Sequence, residues 1–431
     1  MAHWPVPPSG DRLPASRMAA LAAVAGIVLL SACSSDGSPG PVITHPVDTA
    51  AADGPQDESA QAAGQGGGPG AAATGPGAPA APARPAAVVS LGDSYISGEG
   101  GRWAGNSPSA DARGWGGTDR ACPGDACAYP DPDTVYIGGS DADGCHRSDV
   151  AEIRSADLPG ATPVNLACSG ASTANLLRAA SGGHGQNGEP TQDDQLAAVA
   201  RDYDVRLVVV SVGGNDIGFA GIIADCFLSY VSLHGCHGAE QAAVDAQLPA
   251  MTAGVAAAID DIRAVLAAAG QQPGSYRLVL QSYPSPVPRA DENRYSAGGT
   301  GRTVTGGCPV GDSDLNWAHD RFVPELGEAL KAVAAQKQAQ FLDLRDAFQG
   351  REVCSSASEL VHGAPSGARD EWVRSTLSLA QGSVQEIMHP NAFGQRALGR
   401  CLALLAGRSG PSYACHNSPG QDESAMVLTP S

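Results

Sequence analysis

From residue 86 onward, short apolar runs alternate with longer amphipathic ones. AAVVSLGDS, from Ala86 to Ser94, is an apolar run that ends in a small-residue turn, the pattern of a buried strand. Val164–Ala167, Arg206–Val212, Tyr276–Tyr283 and Gln340–Leu344 repeat that pattern. Ala242–Ala269 is Ala-rich with only acidic or polar breaks, and it reads as a helix, as do Leu315–Gln338 and Ala392–Leu405. Strands alternating with helices predict an α/β domain over residues 86–408, with a parallel sheet covered by helices on both faces.

Three stretches break the pattern. Ser97–Asp143, Pro284–Asp312 and Arg351–Asp370 are rich in turn-forming residues and poor in periodicity. Long irregular segments in a compact domain are commonly functional loops. In an open α/β sheet the ligand crevice lies beyond the carboxyl ends of the strands, so these loops are expected to shape a substrate pocket. Residues 33–85 are rich in Gly, Ala, Pro, Ser and Gln. They cannot bury enough apolar surface to offset chain entropy, and a flexible tether is predicted there. Residues 409–431 read as a C-terminal tail that frays from Gln421.

The first residues change the picture. Arg12 and Arg17 precede the apolar run Met18–Leu30, which closes on Leu30-Ser31-Ala32-Cys33. Charge, apolar stretch and small residues in that order make a secretion signal. Its end resembles the bacterial lipobox, in which the Cys is lipidated and becomes the first mature residue. The expectation is a signal over residues 1–32, an acylated Cys33, and an exported chain anchored to the outer face of the cell membrane or released outside it. One acyl chain holds a membrane only marginally, so an anchor implies several. The chain has 11 Cys; without Cys33 ten remain, an even number that suits disulfides in an oxidising compartment. Lys and Arg number 26 against 45 Asp and Glu, a net charge of -19, which argues against a nucleic-acid partner.

Four short blocks carry candidate chemistry. Gly92-Asp93-Ser94, followed by Ser97-Gly98-Glu99-Gly100, sets a serine at the carboxyl end of the first strand. Cys168-Ser169-Gly170-Ala171 offers a backbone able to approach a ligand closely. Gly213-Gly214-Asn215-Asp216 follows an apolar strand, where a side-chain amide can donate to a developing oxyanion. His389-Pro390, with Gly394, precedes a helix in a chain with only 10 His. Each alone reads equally as a turn, a helix cap or a surface histidine. Together they give Ser, Gly, Asn and His in order on one side of a sheet.

In that order the blocks resemble the SGNH (GDSL) hydrolase family, in particular its secreted actinobacterial lipase/esterase branch, over about residues 86–408. The resemblance implies a three-layer, flavodoxin-like fold with a mostly parallel sheet, and a serine esterase without a cofactor. It implies Ser94 as nucleophile, His389 as general base, and an oxyanion hole from the N–H groups of Ser94 and Gly170 and the amide of Asn215. Many members carry Asp three residues before the histidine; here that position is Glu386. Either its carboxylate or a backbone carbonyl is expected to orient His389, with the carboxylate favoured. The branch also implies bridges Cys145–Cys168, Cys226–Cys236 and Cys308–Cys354. The remaining four cysteines pair most simply as Cys122–Cys127 and Cys401–Cys415.

Metal chemistry has weak support. His234-Gly235-Cys236-His237 holds metal-like residues, but a bridged Cys236 is the better reading, and Asp141-Ala142-Asp143-Gly144 lacks the Glu of a calcium loop. No metal site is expected. Trp103, Trp115 and Phe219 are candidates for an acyl pocket, for a sugar subsite, or for plain packing. The expected substrate is a small-molecule or lipid ester and the expected state a monomer. The rival readings are an esterase for carbohydrate or cell-envelope acyl groups, and a binding lipoprotein that has lost activity.

Overall fold

A computed structural model describes residues 84–431 apart from 112, 123–126, 128 and 378–380. The expectations for the signal, Cys33 and the tether up to residue 83 lie outside the described residues. Seven strands form one sheet: β1 (Ala86–Gly92), β2 (Thr162–Asn165), β3 (Asp204–Ser211), β4 (Arg277–Gln281), β5 (Gln340–Asp343), β6 (Ser412–His416) and β7 (Val427–Pro430). Their order is β2-β1-β3-β4-β5-β6-β7, parallel throughout except for β7, which pairs antiparallel with β6.

The helices in chain order are α1 (Ser94–Ser97), α2 (Glu152–Ser155), α3 (Thr173–Leu176), α4 (Gln192–Asp202), α5 (Phe219–Val231), α6 (His237–Ala268), α7 (Asp312–Trp317), α8 (Val323–Gln336) and α9 (Ala392–Ala406). Strand side chains alternate between two faces. Val89, Leu91, Val208 and Val210 pack on one face against Leu196 of α4, Val255, Ile259 and Ile262 of α6, and Leu330 of α8. Val88, Leu207, Val209 and Val279 pack on the other against Ile153 of α2 and Ala397, Leu398 and Leu402 of α9. Two cores separated by a sheet make a three-layer α/β/α fold.

The 32-residue helix α6 is long and apolar enough to cross a membrane by length and composition. Its apolar residues recur every three or four positions, and that stripe faces the core. The segment Leu315–Gln338, which reads as one helix, is two. A π-type turn over Ala318–Phe322 separates α7 from α8, and Pro324 follows it. Proline has no N–H to give, so the ladder opens there.

The tail expected from residue 409 is instead part of the sheet. Ser412, Tyr413 and Ala414 pair with Phe341, Leu342 and Asp343, and Val427–Pro430 closes the edge. Cys401–Cys415 joins α9 to β6. The strands are short, β6 mostly half-buried and β7 mostly exposed, so their sequence lacks the apolar run by which a central strand is read.

Candidate active site

The strand order reverses between β1 and β3, because the chain builds outward from β1 on both sides. That switch point is where an α/β sheet opens a crevice at its carboxyl ends. Ser94 stands there as the first residue of α1. Gly92 makes the entry possible: its φ is +139°, and a Cβ at that position would lie 1.8 Å from the Ser211 carbonyl oxygen. The Asp93 N–H donates to that carbonyl at 2.9 Å. The Asp93 carboxylate caps α1 at the Tyr95 N–H and accepts from the Tyr283 hydroxyl at 2.5 Å. Burial pushes the Asp93 carboxyl up to about 7 against those two bonds.

His389 Nε2 lies 2.7 Å from Ser94 Oγ. Its Nδ1 lies 2.9 Å from the carbonyl oxygen of Ile387. A residue whose ring returns to a carbonyl two positions earlier needs a sharp bend between them. Met388 supplies it with a φ of 61°, uncommon for a non-glycine residue. The bend is locked: the Met388 N–H donates to Arg374 at 2.8 Å, and its carbonyl accepts from the Tyr95 hydroxyl at 2.7 Å. Burial lowers the His389 pKa; Glu99 and the Ile387 carbonyl oppose that without cancelling it. The ring is therefore neutral at pH 7, the form that accepts a proton.

The second and third blocks are tied to each other and to β1. The Cys168 N–H donates to the Gly92 carbonyl at 3.1 Å. Asn215 Nδ2 donates to the Ala171 carbonyl at 2.9 Å, which uses one amide hydrogen and leaves the second. Asp216 accepts from the Thr173 N–H and hydroxyl. Gly170 is exposed with a φ of +80°, and its N–H has no acceptor among the described residues. The Ser94 N–H, first in α1, lies outside the helix ladder.

Glu386 is not beside the His389 ring. Its carboxylate accepts from the Trp103 indole at 2.8 Å, the Tyr136 hydroxyl at 2.7 Å and the Ser383 N–H at 3.0 Å. The expectation that this side chain orients His389 is corrected: the group on Nδ1 is the Ile387 carbonyl. Three converging donors claim the Glu386 oxygens. Burial raises its pKa, Glu99 adds to the rise, and Arg374 opposes it.

Sequence reading missed a second acid. Glu99 is fully buried and holds His146 Nδ1 at 2.7 Å and the Ser169 hydroxyl at 2.5 Å, both on Oε2. Burial alone would raise its pKa, but the bond and charge of His146 outweigh that and hold the carboxyl below its ordinary range. Burial likewise pulls His146 down and Glu99 outweighs it, so the imidazole titrates above its usual value. The cluster adjoins both halves of the site. Ser169 precedes Gly170, and a Cβ on Gly100 would stand 3.4 Å from the His389 Cβ. The only trace in the sequence is the Glu of Ser97-Gly98-Glu99-Gly100; its partner is 47 residues away in an irregular stretch.

An apolar pocket lies beside Ser94. Asn215, Tyr283, Pro286, Phe219, Phe322 and Leu326 line it. A second apolar pocket shares Phe219, Pro286, Phe322 and Val323 with it and is lined further by Ile222, Phe227, Val310, Trp317 and Met388. Phe219 is thus a lining residue. Trp103 is fully buried, with its indole on Glu386 and the Arg374 guanidinium 3.7 Å over its ring. Trp115 lies in a turn among glycines and lines neither pocket.

Disulfides join Cys122–Cys127, Cys145–Cys168, Cys226–Cys236, Cys308–Cys354 and Cys401–Cys415. The second anchors the block that carries Gly170. The third takes the Cys236 sulfur out of the His234–His237 cluster.

A serine hydroxyl held against an imidazole at the switch point of an α/β sheet is the arrangement of a hydrolase with a serine nucleophile. The chain belongs to the GDSL-like lipase/acylhydrolase family, whose profile matches residues 90–397. It is 31% identical over 202 residues to Lipase 1 of Streptomyces coelicolor, a span of 47% of this chain and 59% of that relative. Among solved structures it is similar to an extracellular lipase from Streptomyces rimosus, with a TM-score of 0.45 at 21% identity over 75% of this chain and 100% of the other. A phospholipase A1 from Streptomyces albidoflavus gives a TM-score of 0.46 at 22% identity over 76% and 100%.

Proposed function

We propose that this chain hydrolyses carboxylic esters of apolar acyl groups through an acyl-enzyme on Ser94. The observation that carries the reading is the 2.7 Å contact between Ser94 Oγ and a His389 ring whose other nitrogen meets a backbone carbonyl. Ser94 Oγ attacks the ester carbonyl, and His389 Nε2 takes its proton. The oxyanion is met by the N–H groups of Ser94 and Gly170 and by the second amide hydrogen of Asn215. His389 then protonates the leaving alcohol. Water attacks the acyl-enzyme by the same route, which restores Ser94 and releases the acid. The acyl group lies in the apolar pocket beside Ser94 that Phe219 and Phe322 line.

The Ile387 carbonyl fixes the tautomer, so that Nε2 is the free base. A carbonyl carries only a partial charge, and the full negative charge that favours the imidazolium comes from Glu99. Glu99 is thus a positioning residue in this reading, acting through His389 and Ser169. Glu386 holds the loop together and takes no part in proton transfer.

Ser94→Ala tests the reading. Turnover of a soluble p-nitrophenyl ester is expected to fall roughly 10^5-fold or more with the fold kept; near-normal turnover would remove Ser94 as nucleophile. Export, and anchoring through an acylated Cys33, belong to the same proposal. Cys33→Ser is expected to move the chain from the membrane to the soluble fraction with activity intact.

A further inference from the structure

Helix α5 ends in a tight cap. The Leu233 N–H donates to the Tyr230 carbonyl at 3.2 Å and the His234 N–H to the Ser229 carbonyl at 2.9 Å. This is the Schellman pattern, whose pivot takes the left-handed conformation and is usually Gly or Asn. Here the pivot is Leu233, with a φ of 62°, and it is 69% exposed. A leucine at this position bears backbone strain and gains no burial in return.

Its surroundings supply an account. A cavity of about 320 Å³ opens beside Leu233 and is lined also by Thr300 and Thr303. Val304, next along, is 58% exposed. The two rim segments carry little charge between Asp225 and Glu240 on one side and ahead of Asp312 and Asp314 on the other. Residues 226–239 contain no Asp, Glu, Lys or Arg, and residues 296–311 contain only Arg302. That guanidinium is 1% exposed and closed off by Tyr295, Val310 and Asp312. The chain as a whole is 16% charged with a net charge of -19, so a neutral rim is a local departure. Charge depletion around exposed aliphatic side chains marks a docking surface. Each rim is pinned by a disulfide, Cys226–Cys236 on one side and Cys308–Cys354 on the other. Asp314 lines both this cavity and the second apolar pocket, which shares Phe219 and Phe322 with the pocket beside Ser94.

We infer that Leu233 and Val304 form the surface by which this protein seats on a lipid–water interface of no net charge, with the second apolar pocket adjoining the contact. The inference rests on the esterase reading above for its purpose, not for its observations. Besides the two projecting aliphatic side chains the cavity offers chiefly uncharged polar groups, from Tyr230, Thr300, Thr303 and Ser313, and a fluid surface of no net charge suits that mixture. The acidity of the rest of the chain disfavours an anionic bilayer.

The test uses residues 84–431, which contain both cores and all five disulfides, with Ser94→Ala so that lipid is bound but not cleaved. Flotation with phosphatidylcholine vesicles is expected to carry the protein. Leu233→Asn with Val304→Ser should cut the bound fraction about tenfold or more, on the scale set by burying two aliphatic side chains. Asn is tolerated at the pivot of the cap, so the variant keeps its fold. With Ser94 restored, the same double variant should hydrolyse soluble p-nitrophenyl acetate at the parent rate and aggregated long-chain ester poorly. Vesicle binding that is absent in the parent, or unchanged in the double variant, overturns the inference. So does a parent that sediments as a dimer and a double variant that does not, which would make the patch a contact between copies. Soluble ester hydrolysis by the Ser94 protein reports separately: its absence refutes the esterase reading and leaves the vesicle result to stand by itself.

Discussion

Two buried glutamates flank His389, and they are held in opposite ways. Glu386 precedes the histidine by three residues. Its oxygens meet an indole, a phenol and a backbone N–H, and burial with the charge of Glu99 pushes its pKa up. Glu99 lies 290 positions earlier in the chain. It meets an imidazole and a serine hydroxyl, and it is held below its ordinary range. One is a hub for neutral donors, the other half of an ion pair. The difference teaches that spacing along the chain locates a carboxylate, whereas its partners decide whether its charge is available to the His389 ring.

The sharpest way to break this comparison is Glu99→Gln. Glu99 raises the His389 pKa, so its removal lowers that pKa, and the acid limb of the pH–rate profile should move to lower pH. The rate on the plateau should fall about ten- to a hundredfold, because the imidazolium loses its charge partner. A profile and rate matching wild type would return the charge role to another group. His146→Gln sharpens the same point with a smaller effect. His146 lowers the His389 pKa, so this variant should move the acid limb the other way, to higher pH. Opposite shifts from two members of one ion pair would not arise from a general loss of packing.

The pair also sets a pH window for stability. The Glu99 contribution is present above its unfolded value of about 4.3 and lost as pH falls through its lower folded value. The His146 contribution is present below its unfolded value of about 6.5 and lost as pH rises through its higher folded value. Urea midpoints of wild type and Glu99→Gln should therefore differ most between about pH 4.3 and 6.5. A constant gap across pH would separate the pair from stability.

Glu386→Gln should have the least effect on catalysis. Its acid limb is expected to coincide with that of wild type, measured on the same soluble ester. An amide has one acceptor oxygen for three donors, so stability should drop by about 1–3 kcal/mol in chemical denaturation. A steep loss of kcat with unchanged stability would reverse the assignment of the two acids.

The sequence made part of this legible. The four blocks are contiguous strings at strand ends, and the strand pattern that places them is strong where strands are buried on both faces, as in Leu207–Val210. Glu386 was legible as a position and misread as a partner, since no pattern along the chain shows that Trp103 and Tyr136 converge on it. Glu99 and His146 were illegible for the same reason: their pairing is made by an irregular stretch whose course has no period. α4 and α5 also escaped notice; a glycine-rich stretch precedes each, and α4 runs into β3 with only Tyr203 between them. Strands β6 and β7 escaped because this end of the sheet is short and little buried, so neither strand carries a run of buried apolar residues.

The closing strand bears on how this protein can be handled. β1 begins, and β7 ends, at the amino ends of the parallel strands, since Ala86 pairs with Asp204 and Pro430 with Tyr413. Both exits are therefore on the side of the sheet away from Ser94. A bead, tag or fused domain attached at either exit leaves the crevice open. Five strand spacings separate β1 from β7, roughly 24 Å at about 4.8 Å each. A linker of about eight extended residues would bridge that gap. The sheet is thus a candidate for circular permutation, with new ends cut into an exposed loop and the Ser94–His389 contact carried intact.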